Sequence, residues 1–219
     1  MATVFQDTFN RADQSNWGTA SGGGDWTTTT GGSGASVSIS SNRGANTGSG
    51  SGDAGAYHAL SQQSGIVITF TYATQANFTS DSTVFWVGVR NTTTNRLTNA
   101  YGAIFGQGAI TIKDSNTDKA TASFTFSNST LYNVEMDYNS DNHLDIYVWA
   151  DGGSKPGTPS LSFTNGGSPY TPTSSGSNIV MTVTYNSPTT SYFDDLLITD
   201  GAVAASGAVH NLGLLGVGQ

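Results

Sequence analysis

The stretch that decides the fold reads "LYNVEMDYNSDNHLDIYVWA" and covers residues 131–150. In its first half Tyr132, Val134, Met136 and Tyr138 occupy alternate positions, with polar residues between them. This period of two indicates a β-strand with one buried face. The second half alternates in the same way, and the polar "NSDN" between the halves is typical of a tight turn. The stretch therefore predicts two strands joined as a β-hairpin.

Similar short segments, separated by clusters of Gly, Asn, Asp and Ser, follow one another along the chain, and none shows the period of an amphipathic helix. The predicted strands are 3–9, 25–29, 36–40, 56–60, 65–74, 83–91, 100–105, 109–114, 122–127, 131–139, 143–150, 160–164, 179–185 and 192–199. About fourteen short strands predict an all-β fold of two packed antiparallel sheets, a jelly-roll sandwich. We expect one domain over residues 1–200, with long loops at 41–55 and 165–178.

The composition limits the classes of partner. The chain has 7 Lys and Arg against 15 Asp and Glu, a net charge of −8, and no cysteine. Since no basic surface is available to neutralise phosphates, we expect no nucleic-acid binding. We also expect no membrane partner, because no apolar run approaches the roughly 18 residues that span a bilayer. The first residues lack the basic and apolar regions of a signal peptide.

Two carboxylates on one strand raise the question of catalysis. Glu135 and Asp137 lie two residues apart in "EMDYN", a spacing that acid/base glycosidases on such sandwiches use. The third carboxylate that those enzymes place shortly afterwards is missing, since Asn139 and Ser140 stand there. The sequence also has no G-x-S-x-G motif, and its three histidines are scattered. We therefore interpret the pair as part of a solvated sheet face and predict that the protein is not an enzyme.

A charged cluster near the start has a partner near the end. Asp7 lies in "VFQDTFNRADQSNWG" (4–18), and Asp194 and Asp195 lie in "SYFDDLLITD" (191–200). If the first and last strands pair, these carboxylates come close together and need a compensating positive charge. Arg11, as an ion-paired clamp, and Ca²⁺, as a hard cation with carboxylate ligands, both meet this need. The sequence leaves both alternatives open, with Arg11 preferred.

Two further segments, "DSNTDK" (114–119) and "DYNSDNHLD" (137–145), resemble the opening of a calcium loop. Neither has the glycine and the bidentate glutamate that complete such a loop. Asp and Asn are also common in hairpin turns, so we interpret both segments as turns.

Flat aromatic side chains on strands and loops are the candidates for sugar binding, because such rings stack on the faces of pyranoses. Trp86 alternates with apolar neighbours, so we expect Trp86 and Arg90 to share the face opposite those neighbours. The carbohydrate-binding candidates are Trp86, Arg90, Tyr101, Tyr147, Trp149 and Tyr170.

The end of the chain changes character. Residues 201–219 contain no Asp, Glu, Lys or Arg and are rich in Gly, Ala and Leu. An uncharged apolar segment in water favours docking onto a partner, and a frayed terminus is the alternative. The candidate docking residues are Leu212, Leu214, Leu215 and Val217.

Four stretches together resemble a known family. "DTFNRADQSNWG", "FWVGVRN", "LDIYVWADGGSKPGTP" and "SYFDDLLIT" are similar, in this order, to the concanavalin A-like (LamG-type) lectin/glucanase sandwich. The closest variant is the one found in bacteriophage structural proteins and bacterial surface proteins. The resemblance implies a jelly roll that binds carbohydrate or protein more often than it catalyses a reaction. It also implies a calcium ion between the first and last strands, at Asp7 and Asp194 or Asp195, whereas the catalytic motif of the hydrolase members is absent.

These observations favour a non-catalytic structural or binding module on a particle surface, such as a bacteriophage capsid decoration, fibre or tail appendage, with glycan adhesion. The expected partners are other virion or surface proteins, further copies of this chain, and cell-surface polysaccharide. The alternatives are a carbohydrate-binding module of a bacterial secreted or cell-surface protein, and an atypical glycoside hydrolase.

Overall fold

The computed structural model describes residues 1–32, 34–48, 52–73, 84–92, 99–106, 108–185 and 189–201. Within these ranges the chain forms fifteen β-strands and one short 3-10 turn at Asn165–Gly167. The strands are β1 (Thr3–Asp7), β2 (Thr27–Gly32), β3 (Ser36–Ser40), β4 (Arg43–Gly48), β5 (Gly52–Ala59), β6 (Ile66–Ala73), β7 (Val84–Asn91), β8 (Tyr101–Phe105), β9 (Ala109–Asp114), β10 (Thr117–Ser123), β11 (Leu131–Tyr138), β12 (Leu144–Ala150), β13 (Leu161–Phe163), β14 (Asn178–Tyr185) and β15 (Thr189–Asp200).

The strands form two antiparallel sheets. The first has the order β13-β12-β11-β6-β15-β4-β3, and β1 also pairs with β15. The second has the order β10-β9-β8-β7-β14-β5-β2. Strands distant in sequence are neighbours in both sheets, as in a jelly roll. The predicted all-β, two-sheet sandwich is confirmed, with fifteen strands in place of about fourteen.

The core fills the space between the sheets. In β11 the alternation is as predicted, because Tyr132, Val134, Met136 and Tyr138 are all buried. Phe85 lies near the centre, with its ring centroid 3.7 Å from that of Tyr72 and 4.3 Å from that of Phe105. The side chains at the positions between these core residues point away from the core. We call the side of each sheet to which they point its outer face.

The predicted loop at 41–55 is wrong. The structure places β4 and the start of β5 there, although these strands consist largely of small residues. Small residues are required because large side chains lie directly above them: a Cβ added to Gly44 would lie 2.8 Å from the Phe9 ring, and one added to Gly48 would lie 2.4 Å from the Tyr185 ring. The sequence lacks an apolar pattern here because the neighbouring aromatics supply the buried surface.

The tail beyond residue 201 lies outside the described residues, so the division into a domain and a tail stays a prediction. Leu212, Leu214, Leu215 and Val217 belong to this tail. Within the ranges that the structure describes, no helix is both long and apolar enough to cross a bilayer.

Candidate functional site

The first and last strands pair, as the sequence predicts, and Asp7 lies opposite Leu196. The Asp7 carboxylate is 0% exposed. Its Oδ1 accepts hydrogen bonds from Arg11 Nη1 at 2.7 Å and from the Phe9 amide at 2.9 Å. Its Oδ2 accepts from Arg11 Nη2 at 2.9 Å and from Trp26 Nε1 at 2.7 Å. Arg11 therefore holds Asp7 by a bidentate ion pair, the geometry in which a guanidinium binds a carboxylate best.

Asp194 and Asp195 do not join this pair. The pairing of β15 with β6 is irregular between Asp194 and Leu197, and Asp195 adopts a positive φ of 49°. This bulge returns Leu196 to the core and leaves Asp194 and Asp195 on the outer face of the first sheet. Burial and the charge of Asp195 raise the pKa of Asp194, whose carboxylate lies 3.8 Å from Arg43 Nε.

The three carboxylates therefore do not fit a calcium ion. The lone pairs of Asp7 already accept hydrogen bonds. Asp194 is paired with Thr71 and Asp195 lines the groove beside Thr71, so both lie on the outer face, away from Asp7. Across the described part of the chain, no group of three or more His, Cys, Asp or Glu side chains is arranged to hold a metal ion.

A groove on the outer face of the first sheet is lined by the sugar-binding candidate Trp149 and by Glu135, the carboxylate considered above for catalysis. It has a volume of about 360 Å³. β6, β11, β12 and β15 supply most of its walls, and the loop after β12 supplies Lys155. The lining side chains that reach it from the outer face are Thr69, Thr71, Asn133, Glu135, Trp149, Lys155 and Asp195.

Strand register explains why these residues meet. Asn133 of β11 is paired with Trp149 of β12 on one side and with Thr71 of β6 on the other. Two residues further along, Glu135 is paired with Tyr147 and with Thr69. Directly paired residues in antiparallel strands point to the same side of the sheet. An aromatic ring, an amide, a carboxylate and hydroxyls therefore line one depression.

Some acidic side chains on this face have a basic partner, and others are paired with a further acidic side chain. Lys155 Nζ lies 2.5 Å from Glu135 Oε1 and 4.0 Å from the centroid of the Tyr147 ring. One row further along, Asp137 is paired directly with Asp145. Burial, followed by the charges of Asp145 and Glu135, raises the pKa of Asp137. Acidic side chains therefore predominate around the groove, and Lys155 is paired with one of them, Glu135.

Three other sugar-binding candidates come together elsewhere, at one end of the sandwich. Tyr101 is 0% exposed, and its hydroxyl donates to the Asn142 carbonyl oxygen at 2.7 Å. Tyr101 is thus a core residue and offers no ring face to solvent. Arg90 Nη2 donates to Asn142 Oδ1 at 3.0 Å, and Asn142 Nδ2 donates to the Tyr170 carbonyl oxygen at 2.9 Å.

The expectation that Arg90 and Trp86 share a face is therefore wrong. Arg90 has a positive φ of 58°, and the pairing of β7 with β14 is irregular beside it. This bulge breaks the alternation and directs Arg90 towards a turn of the first sheet. Trp86 stays on the outer face of the second sheet, where it packs with Tyr57, Ile104 and Val180. Trp86 and the groove consequently lie on opposite sides of the sandwich.

The sequence did not reveal the role of Asp114. Its buried carboxylate accepts hydrogen bonds from Tyr170 Oη at 2.6 Å, Thr173 Oγ1 at 2.9 Å and Ser174 Oγ at 2.6 Å, and from two backbone amides of the same loop. Burial alone would raise the pKa of Asp114, but these hydrogen bonds outweigh it and hold the pKa below its usual range. The segment interpreted as a turn thus also anchors the 165–178 loop to the second sheet.

Known proteins of similar structure share this architecture. No family profile and no curated protein matches the sequence. A Bacillus subtilis protein of unknown function with a galectin-like fold superposes with a TM-score of 0.64 at 10% identity, over 91% of this chain and 96% of that chain. The carbohydrate recognition domain of Emp46p gives a TM-score of 0.52 at 14% identity, over 81% and 89% of the two chains.

A Mycobacterium abscessus protein provisionally named a β-glucanase gives 0.54 at 10% identity, over 90% of this chain and 100% of that chain. At such identities the likeness shows the fold alone. This likeness confirms the sandwich fold that the resemblance to concanavalin A-like lectins and glucanases implied. Membership of the variant found in bacteriophage structural proteins stays a prediction. The chain has a lectin-like jelly-roll fold.

Proposed function

We propose that this protein binds carbohydrate in the groove on the outer face of its first sheet. The observation that carries the proposal is the position of Trp149 in a groove of about 360 Å³ beside Asn133, Glu135 and Lys155. Ligand sites of this volume combine apolar or aromatic surface with a few placed polar groups. An indole ring offers a flat surface for the apolar face of a sugar, and the polar side chains can bind its hydroxyls.

The similar structures support this choice at the level of fold. One of them is the carbohydrate recognition domain of Emp46p, and another has a galectin-like fold. Because unrelated functions share one fold, this support is an analogy. The groove itself is the physical argument.

We propose further that the groove binds without catalysis. The third carboxylate of the glycosidase pattern would be needed just beyond β11, where Asn139 stands. The Asn139 side chain is part of the hairpin turn, because its Oδ1 accepts from the amides of Asp141 at 2.9 Å and His143 at 3.0 Å. Release of reducing ends from β-glucans that Glu135→Gln abolishes would contradict this proposal.

The setting that we propose is a particle or cell surface, with a bacteriophage virion as the first candidate. The resemblance of the two terminal stretches to bacteriophage structural proteins supports this setting. Homo-oligomers and contacts with other surface proteins through residues 212–217 belong to the same proposal.

The binding experiment compares two tryptophans on opposite faces. Purified protein is screened on a glycan array, and the strongest hit is titrated by calorimetry against wild type, Trp149→Ala and Trp86→Ala. We expect Trp149→Ala to lose about 1.5–3 kcal/mol of binding free energy, the amount that full burial of a large apolar side chain contributes. Trp86→Ala is the matched control and should retain binding. Binding lost in Trp86→Ala and kept in Trp149→Ala would move the site to the second sheet.

A further inference from the structure

The side chain of Lys155 covers a second aromatic ring next to the groove. Tyr147 and Trp149 lie two residues apart on β12, and their side chains share the outer face. Trp149 lines the groove, whereas Tyr147 does not. Lys155 lies over the Tyr147 ring: its ammonium group is 4.0 Å from the centroid of that ring and 2.5 Å from Glu135 Oε1.

This cover is held by interactions that water weakens. The Lys155 side chain is 41% exposed, and ion pairs of such side chains contribute little to stability. Two other carboxylates stand close by, since Asp137 is paired with Asp145 one row along the sheet and Lys155 lowers the pKa of Asp137. The ammonium can therefore leave the ring and still remain beside negative charge.

The loop that carries Lys155 is fixed at its two ends. The Asp151 amide donates to the Leu131 carbonyl oxygen at 2.9 Å, and the Ser160 amide donates to the Ile146 carbonyl oxygen at 2.7 Å. These bonds involve backbone and do not depend on the identity of residue 155. A substitution at Lys155 should therefore leave the path of the loop intact.

We propose that Lys155 is a displaceable cover over a second stacking subsite at Tyr147. Rings two residues apart on a strand are separated by about 7 Å. A glycan that extends beyond the Trp149 groove would displace the ammonium and stack on Tyr147, whereas a shorter glycan would leave it in place. Lys155 thereby sets the length of glycan that the face prefers. This inference rests on the proposed function and adds a subsite and its regulation.

The test compares two lengths of one glycan. Laminari-oligosaccharides of two and six sugar residues are titrated against the full chain as wild type, Lys155→Ala, Tyr147→Leu and the double variant. We expect Lys155→Ala to increase the ratio of six-residue to two-residue affinity about two- to five-fold, the scale of one exposed ion pair. In the Tyr147→Leu background the same change should leave the ratio constant. A ratio that falls in Lys155→Ala, or rises equally in both backgrounds, would overturn the cover, because Lys155 would then be a direct ligand or a general steric obstacle.

A second measurement needs no glycan. In the free protein the Tyr147 ring should shift the proton resonances of the Lys155 ε-methylene upfield, and Tyr147→Leu should abolish this shift. If the shift is absent from the wild type, the cover is overturned even if glycans bind. If the shift is present but no variant binds either oligosaccharide, the binding proposal fails for this glycan class, and the subsite fails with it.

Discussion

Replacing Arg11 with alanine should destabilise the protein severely. The substitution leaves the Asp7 carboxylate at 0% exposure with only the Trp26 indole and backbone amides as donors. Removing one partner of a buried ion pair costs about 3–5 kcal/mol, because the remaining charge stays desolvated and unpaired. The free energy of unfolding of a typical domain is about 5–15 kcal/mol, so this substitution removes a large share of it.

Urea denaturation followed by tryptophan fluorescence measures the loss, since Trp17 and Trp26 lie close to the ion pair: the Arg11 Nε donates to the Trp17 carbonyl oxygen at 2.9 Å. Arg43→Ala is the matched control. Arg43 is 44% exposed and lies 3.8 Å from Asp194, so its loss should cost no more than about 1 kcal/mol. Equal losses in the two variants would refute the clamp.

The double variant Asp7→Asn/Arg11→Met should recover part of the loss, because it removes both charges. Excess EDTA should leave the melting temperature of the wild type unchanged. A lower melting temperature in EDTA, restored by Ca²⁺, would show instead that a metal closes the terminal strands.

Three further outcomes follow from the described contacts. Asp114→Ala should cost about 1–3 kcal/mol and expose the 165–178 loop to limited proteolysis, because several buried donors lose their acceptor. The pKa of Asp114 is held below its usual range, so the ionised carboxylate should add to the free energy of unfolding above about pH 4. This addition should be lost as the pH falls through the folded-state pKa, and the stabilities of wild type and Asp114→Ala should then converge. Asp137→Asn should stabilise the protein at pH 7 by about 0.2–1 kcal/mol, since it removes the like-charge pair of Asp137 and Asp145 across two strands. The pKa of Asp137 is raised in the folded protein, so this gain in stability should shrink as the pH falls through the folded-state pKa. It should vanish below the pKa that Asp137 has in the unfolded chain. Deleting residues 202–219 should leave the melting temperature intact but abolish assembly or particle binding in pull-down and light-scattering assays, and unchanged assembly would contradict the docking prediction.

The sequence predicted the elements whose own side chains form the core. The hairpin of β11 and β12 follows directly from its alternation, and the register of that hairpin places Asn133 beside Trp149. Closure of the first strand against the last was also predictable, because scarce charged residues occur at both ends of the chain.

The sequence misplaced or missed the residues whose positions depend on contacts with other segments of the chain. β4 carries almost no apolar pattern, because Phe9, Trp17 and Tyr185 cover it from other segments. Arg90 was placed on the wrong face because a single bulge reverses the alternation, and no local motif marks that bulge. Lys155 lies in a loop, where periodicity carries no information about which strand its side chain reaches.

The pairing of β1 with β15 also fixes how the molecule can be attached to anything else. The Asp200 amide donates to the Ala2 carbonyl oxygen at 2.9 Å, so both ends of the described domain emerge at one spot. Asp200 is paired with Ile66, whereas the groove begins at Thr69, about 10 Å further along the strand. A partner joined at either of these two points would therefore meet the sandwich at the same end of β15, about 10 Å along the sheet from the groove.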